Sequence, residues 1–135
     1  MGENGSKILV VEDEDALVRL LKVALEAHGY LVVSCSNGSD AISLCKDHSF
    51  AAVLMDIKTP VMDGLEATRQ LRALPKTKEL PILIVSALAS PSDREAGIQA
   101  GADAYFTKPF HFKELLDTLD QIRVTEHACK SCHPI

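Results

Sequence analysis

Five short apolar runs punctuate the chain, and longer amphipathic stretches separate them. Ile8-Leu9-Val10-Val11, Leu31-Val32-Val33, Ala51-Ala52-Val53-Leu54-Met55 and Ile82-Leu83-Ile84-Val85 carry no polar residue at alternate positions. That pattern predicts strands covered on both faces, as in a parallel sheet. Ala104-Tyr105-Phe106 is a shorter fifth run. The intervening stretches have helical spacing. Leu17, Leu20, Leu21, Ala24 and Leu25 share one face, and Gly29 stands where a C′ glycine ends a helix. Ala41, Ile42, Leu44 and Cys45 define a second helix over 39–48, and Asp63-Gly64 opens a third that reaches about Ala73. A fourth runs from Ser92 to Ala100 and stops at Gly101. Phe112, Leu115, Leu116, Leu119 and Ile122 form the last stripe. Five strands alternating with five helices predict an α/β fold with a doubly wound parallel sheet.

The length of 135 residues suits one domain. The pattern places a polar, disordered N-terminus at 1–6, the domain at 7–123 and a flexible tail at 124–135. At 47% hydrophobic and without tryptophan, the chain should build its core from Leu, Ile, Val and Ala. A net charge of -5 with no basic run argues against direct nucleic-acid binding. No apolar run approaches the length of a membrane span. Cys35 and Cys45 read as small buried hydrophobes. Nothing suggests a disulfide framework, so a reducing, cytoplasmic setting is expected.

Candidate chemistry follows from the strand ends. In a doubly wound sheet, ligands bind beyond the carboxyl ends of the strands at the switch point. Glu12 and Asp13 follow the first strand, Asp56 the third and Ser86 the fourth; the fifth runs into Thr107, Lys108 and Pro109. Two carboxylates ~4 Å apart repel by about 4 kcal/mol at an effective dielectric of ~20. Such a cluster raises its pKa values or recruits a cation. Hard oxygen donors favour Mg²⁺, with Mn²⁺ as the alternative. Any one of these acids alone reads as loop solvation or a helix cap, but the conjunction at one sheet edge does not.

The segments Ile8-Leu9-Val10-Val11-Glu12-Asp13-Glu14, Leu54-Met55-Asp56-Ile57-Lys58-Thr59-Pro60-Val61-Met62-Asp63-Gly64, Ser86-Ala87 and Lys108-Pro109-Phe110 resemble the motifs of response-regulator receiver domains. They occur in that family's order and spacing over about residues 6–123. The resemblance implies a flavodoxin-like (βα)5 fold with strand order 2-1-3-4-5. It implies that Asp56 accepts a phosphoryl group from a histidine kinase or a histidine phosphotransfer protein. Asp13, Glu12, Asp56 and the Lys58 backbone carbonyl would hold Mg²⁺. Ser86, Lys108 and the Ala87 N–H would bind phosphoryl oxygens. Tyr105 matches the switch aromatic, and Pro109 matches the family's cis proline. The expected output is a switched surface of helix four, strand five and helix five, read by an unknown partner or by an output domain absent from these residues. No enzymatic activity is expected beyond the chain's own phosphorylation and dephosphorylation.

Some residues depart from the pattern. Thr59 stands where the family usually has Met. Lys58 and Leu88, which flank the path of a hydrolytic water, are both poorly suited to orient one, so a long-lived acyl phosphate is expected. An Asp-nucleophile phosphotransferase or phosphatase of similar topology would need a second acid close to Asp56, where Ile57-Lys58 stand. A flavodoxin-like FMN binder would need a Ser/Thr/Gly-rich loop after strand one, where Glu12 to Asp15 would repel phosphate. A phosphorylation-independent pseudo-receiver would not need Glu12, Asp13, Asp56, Ser86 and Lys108 together. At the tail, Cys129-Lys130-Ser131-Cys132-His133 formally matches a haem-attachment pattern, and His127 adds a zinc-type ligand. An unstructured tail is the simpler expectation.

Overall fold

A computed structural model describes the backbone of residues 7–132 and the side chains of residues 7–122. The elements alternate as expected: β1 (Lys7–Val11), α1 (Asp15–Ala27), β2 (Leu31–Cys35), α2 (Gly38–Asp47), β3 (Ala52–Met55), α3 (Gly64–Ala73), β4 (Ile82–Ser86), α4 (Pro91–Ala100), β5 (Ala104–Thr107) and α5 (Phe112–Cys132). The strands form one parallel sheet in the order β2-β1-β3-β4-β5. The order reverses beside β1, which sets the switch point between β1 and β3.

Alternation along the strands divides the core in two. Ile8, Val10, Leu54, Leu83 and Val85 face Leu21, Leu25, Leu115 and Leu119 of α1 and α5. Leu9, Val11, Val53, Met55, Ile82 and Ile84 face Ala41, Ile42, Cys45, Ala67 and Leu71 of α2 and α3. Because both faces bury apolar side chains, β1, β3 and β4 are almost wholly apolar; the exceptions stand at their ends, Lys7 and Ser86.

Local chemistry fixes the helix ends. The Asn37, Asp63 and Ser90 side chains accept from the N–H groups of Asp40, Glu66 and Asp93. Ser90 and Asp93 form a reciprocal capping box around Pro91, so α4 starts ahead of the expected Ser92. Gly29 and Gly101 close α1 and α4 with φ of 98° and 118°, the left-handed region that glycine enters freely.

Two expectations need correction. β2 is covered only in part: at the sheet edge, Val32 packs on one core cluster and Val33 on the other, but both are only half-buried and Leu31 is 51% exposed. Apolar composition alone does not separate an edge from a centre. α5 also continues to Cys132, beyond the boundary expected at 123. The 1–6 segment, His133 and the side chains of the cysteine motif lie outside the described residues.

Candidate functional site

The site follows from sheet register. Val11 pairs with Met55 across β1 and β3. Each strand then extends the ladder by one hydrogen bond: the Asp56 N–H donates to the Val11 carbonyl at 3.0 Å, and the Glu12 N–H to the Cys35 carbonyl at 3.0 Å. The next residues out, Glu12 and Asp56, therefore stand side by side. On the other flank Ser86 pairs with Thr107, and the Lys108 N–H donates to the Ser86 carbonyl at 2.8 Å. The Lys108-Pro109 peptide is cis, as the resemblance implied.

The Lys108 ammonium bridges two carboxylates, at 3.0 Å from Glu12 Oε1 and 3.2 Å from Asp56 Oδ2. Carboxylate oxygens of Glu12, Asp13 and Asp56 lie within 4.8 Å of one another. Glu12 and Asp56 are buried, whereas Asp13 is exposed and makes no hydrogen bond or ion pair among the described residues. Three carboxylates against one ammonium leave two negative charges unbalanced. An all-oxygen donor set of that charge and spacing fits one hard divalent cation.

The electrostatics carry the same signature. Burial pushes the Glu12 carboxyl above its ordinary value; the Lys108 hydrogen bond opposes this and the Asp56 charge adds to it, leaving a net upward shift. Burial alone would pull Lys108 down, but the Glu12 hydrogen bond and the Asp56 charge outweigh it, so Lys108 stays firmly protonated. Glu12 is oriented by its second oxygen, which accepts from the Glu14 N–H at 3.1 Å. Asp56 Oδ1 accepts a long 3.4 Å bond from the Lys58 N–H. The Lys58 carbonyl and the Ala87 N–H make no hydrogen bond among the described residues, so a ligand can use both.

Ser86 is buried, and its Oγ accepts from the Leu88 N–H at 3.1 Å instead of capping a helix. Tyr105 is half-buried, and its hydroxyl donates to the Leu88 carbonyl at 2.7 Å. The Lys58 side chain is exposed; that of Leu88 packs on the core.

Sequence reasoning missed two supports of this site. A Cβ at Gly64 would overlap the Asp56 carbonyl oxygen, so this glycine lets α3 close on the acceptor strand. It does more than open the helix, which is what Asp63-Gly64 suggested. The 59–63 loop is built on a γ-turn: the Met62 N–H donates to the Pro60 carbonyl at 2.7 Å, with Val61 between them at a φ of 68°. Thr59 Oγ1 closes the loop onto the Met62 carbonyl at 2.8 Å, a bond that methionine at this position could not make.

Fold and site together define a doubly wound α/β protein with an acidic, cation-competent cleft at the switch point. The family model for the response regulator receiver domain matches residues 8–120. The chain belongs to the response regulator receiver domain family. It is 36% identical over 111 residues to the transcriptional regulatory protein SrrA of Staphylococcus aureus, covering 82% of this chain and 45% of that protein. The chain thus spans less than half the length of the curated relatives it matches. Among solved structures, it resembles the receiver domain of sensor histidine kinase PA1611 from Pseudomonas aeruginosa PAO1, with a TM-score of 0.81, 36% identity, and coverage of 87% of this chain and 96% of that one. That structure has a magnesium ion coordinated in its active-site cleft. It also resembles Vibrio cholerae chemotaxis protein CheY4, with a TM-score of 0.81, 29% identity, and coverage of 87% and 98%. Among the described residues, no helix is long and apolar enough to cross a membrane.

Proposed function

We propose that Asp56 accepts a phosphoryl group, in a Mg²⁺-dependent reaction, from a phosphohistidine of a histidine kinase or histidine phosphotransfer protein. The observation that carries this reading is the convergence of Glu12, Asp13 and Asp56 within 4.8 Å, with Lys108 bridging Glu12 and Asp56. An Asp56 oxygen forms the new P–O bond as the N–P bond of the donor breaks, and the donor imidazole takes back a proton. Glu12, Asp13, Asp56 and the Lys58 carbonyl would hold Mg²⁺, which neutralises the carboxylates and polarises the transferred oxygens. Lys108 exchanges its carboxylate partners for a phosphoryl oxygen. The Ser86 hydroxyl and the Ala87 N–H supply further donors. The only turnover expected is the chain's own phosphorylation and dephosphorylation.

The consequence is a shift of the α4, β5 and α5 surface through Tyr105, read by a partner or a linked output domain. The acidic charge of the chain disfavours direct nucleic-acid contact, and the absence of a spanning helix among the described residues fits a cytoplasmic role. The test is incubation with Mg²⁺ and acetyl phosphate or beryllofluoride, comparing wild type with Asp56→Asn by intact mass and fluorine NMR. A Mg²⁺-dependent adduct is expected in wild type alone; an equal adduct in Asp56→Asn would refute the assignment. The same label should decay slowly, because the exposed Lys58 and the core-packed Leu88 both lack a group suited to orient water.

A further inference from the structure

The loop after the acceptor strand is held mostly by its own backbone. The Ile57 carbonyl accepts from the Thr59 N–H at 3.1 Å and from the Gly64 N–H at 2.8 Å. The Pro60 carbonyl accepts from the Met62 N–H at 2.7 Å. The Met62 carbonyl accepts from the Gly38 N–H at 3.1 Å, which ties the loop to the start of α2. Between Lys58 and Met62, one side chain joins these bonds: Thr59 Oγ1 donates to the same Met62 carbonyl at 2.8 Å. The Lys58 side chain is exposed and makes no hydrogen bond or ion pair among the described residues, so it does not steady its own peptide.

The Thr59 N–H belongs to the Lys58–Thr59 peptide, whose carbonyl is free among the described residues. A trans peptide directs its N–H and its C=O to opposite sides. With the N–H on the Ile57 carbonyl, the Lys58 carbonyl is turned away from that oxygen. The preceding peptide is anchored to the acidic cluster by the 3.4 Å bond from the Lys58 N–H to Asp56 Oδ1. Rotation of the Lys58–Thr59 peptide must break the Thr59 N–H bond. It must also turn Thr59 about its φ, against the hold of Oγ1 on Met62. Gly38 backs the far end of that hold: a Cβ there would lie 2.8 Å from the Met62 carbonyl oxygen, so the carbonyl rests against the glycine.

We propose that Thr59 is a positioning residue for the cation: its hydroxyl bond to the Met62 carbonyl fixes the Lys58–Thr59 peptide, and with it the one backbone oxygen of the Mg²⁺ ligand set. The inference rests on the reading of Glu12, Asp13, Asp56 and the Lys58 carbonyl as that set. It assigns the precision of the site to a residue that is not itself a ligand. Mg²⁺ demands short bonds in near-ideal octahedral geometry, whereas Ca²⁺ accepts longer and irregular ones. A loosened carbonyl weakens binding by the fraction of time it spends out of place, and the loss is larger for the stricter ion. One net hydrogen bond corresponds to about a 3- to 10-fold change.

The experiment uses the full chain as wild type, Thr59→Val, Thr59→Ala and Thr59→Ser. Each is titrated with Mg²⁺ alone and with Ca²⁺ alone, followed through the Asp13 and Asp56 amide resonances by heteronuclear NMR. Urea denaturation in EDTA gives the metal-free stability of each. Thr59→Val keeps the shape and removes the hydroxyl; Thr59→Ser keeps the hydroxyl. Thr59→Val and Thr59→Ala should weaken Mg²⁺ binding about 3- to 10-fold and Ca²⁺ binding by less, so selectivity for Mg²⁺ falls. Thr59→Ser should restore most of the Mg²⁺ affinity. Lost metal-free stability with an unchanged Mg²⁺ midpoint would mark Thr59 as a structural residue only and overturn the inference. An equal loss for both cations, or no recovery in Thr59→Ser, overturns it as well. Each of these leaves the proposed function standing. Absence of Mg²⁺ binding in wild type overturns the Mg²⁺ dependence of the proposed function, and the role of Thr59 with it.

Discussion

Lys108→Ala removes the ammonium that separates two buried carboxylates. In the wild type it lies 3.0 Å from Glu12 and 3.2 Å from Asp56, whose side chains are 4% and 7% exposed. Without it, two charges at the cluster's 4.8 Å limit repel by about 3.5 kcal/mol at an effective dielectric of ~20. Glu12 can escape by taking up a proton. Protonating a carboxyl of pKa 4.5 at pH 7 costs about 3.4 kcal/mol. Glu12 pays less, because burial has already raised it. The penalty is therefore capped, and a loss of about 2–3 kcal/mol is expected near pH 7.

The pH dependence has a definite sign. In the variant, the folded pKa of Glu12 lies further above its unfolded value. A carboxyl shifted that way destabilises the fold while ionised, so the deficit shrinks as pH falls through the folded pKa. In alkali, wild-type Lys108 has a pKa raised above 10.5, so its contribution is complete below that value and fades as pH rises through the folded one. Urea denaturation followed by circular dichroism near pH 7.5 and near pH 5 measures the deficit and its change in acid, and a series above pH 10.5 measures the alkaline limb. Mg²⁺ should stabilise the variant more than wild type, because a cation replaces the missing charge. A variant as stable as wild type at neutral pH, or a deficit that does not shrink in acid, would refute this account of the cluster.

Burial pushes the Cys35 and Cys45 thiols up from 9.0 to about 11. Near pH 8 that leaves about 100-fold fewer thiolates, so alkylation mapped by mass spectrometry should be slow at both until urea unfolds the chain, and fast labelling of the native protein would contradict it. Val61→Gly should raise stability by about 0.5–1 kcal/mol. A β-branched residue at positive φ costs ~1–2 kcal/mol, partly offset by the unfolded-state entropy of glycine. Val61 is 84% exposed, so little packing is lost, and an unchanged or lower melting midpoint would argue against strain in the γ-turn.

The fold was legible because a buried parallel sheet leaves a strong trace. Uninterrupted runs such as Ile82-Leu83-Ile84-Val85 are hard to place anywhere else, and Gly29 and Gly101 mark helix ends that need positive φ. Leu31-Val32-Val33 has the same composition but lies at an edge, a property of strand order and not of the run itself. The candidate site residues were legible because they stand at or just beyond strand ends, and register then carries them to one edge. What stayed hidden depends on contacts distant in sequence. Nothing in Asp63-Gly64 announces that this glycine touches the Asp56 backbone, and nothing near Arg94 or Thr107 ties them to Tyr105.

Leu88 shows how one position can serve two tasks. Its N–H holds Ser86 Oγ and its carbonyl holds the Tyr105 hydroxyl, so the peptide on either side of it joins the proposed phosphoryl site to the proposed switch. Any residue other than proline supplies both groups. The side chain takes no part in that link; it packs on the core. Position 88 can therefore change its side chain to suit the lifetime of the phosphoryl group while the backbone connection is kept. Across the ring from that link stand Arg94, 5.3 Å from the ring centre, and Gly97, whose lack of a Cβ leaves the ring its space.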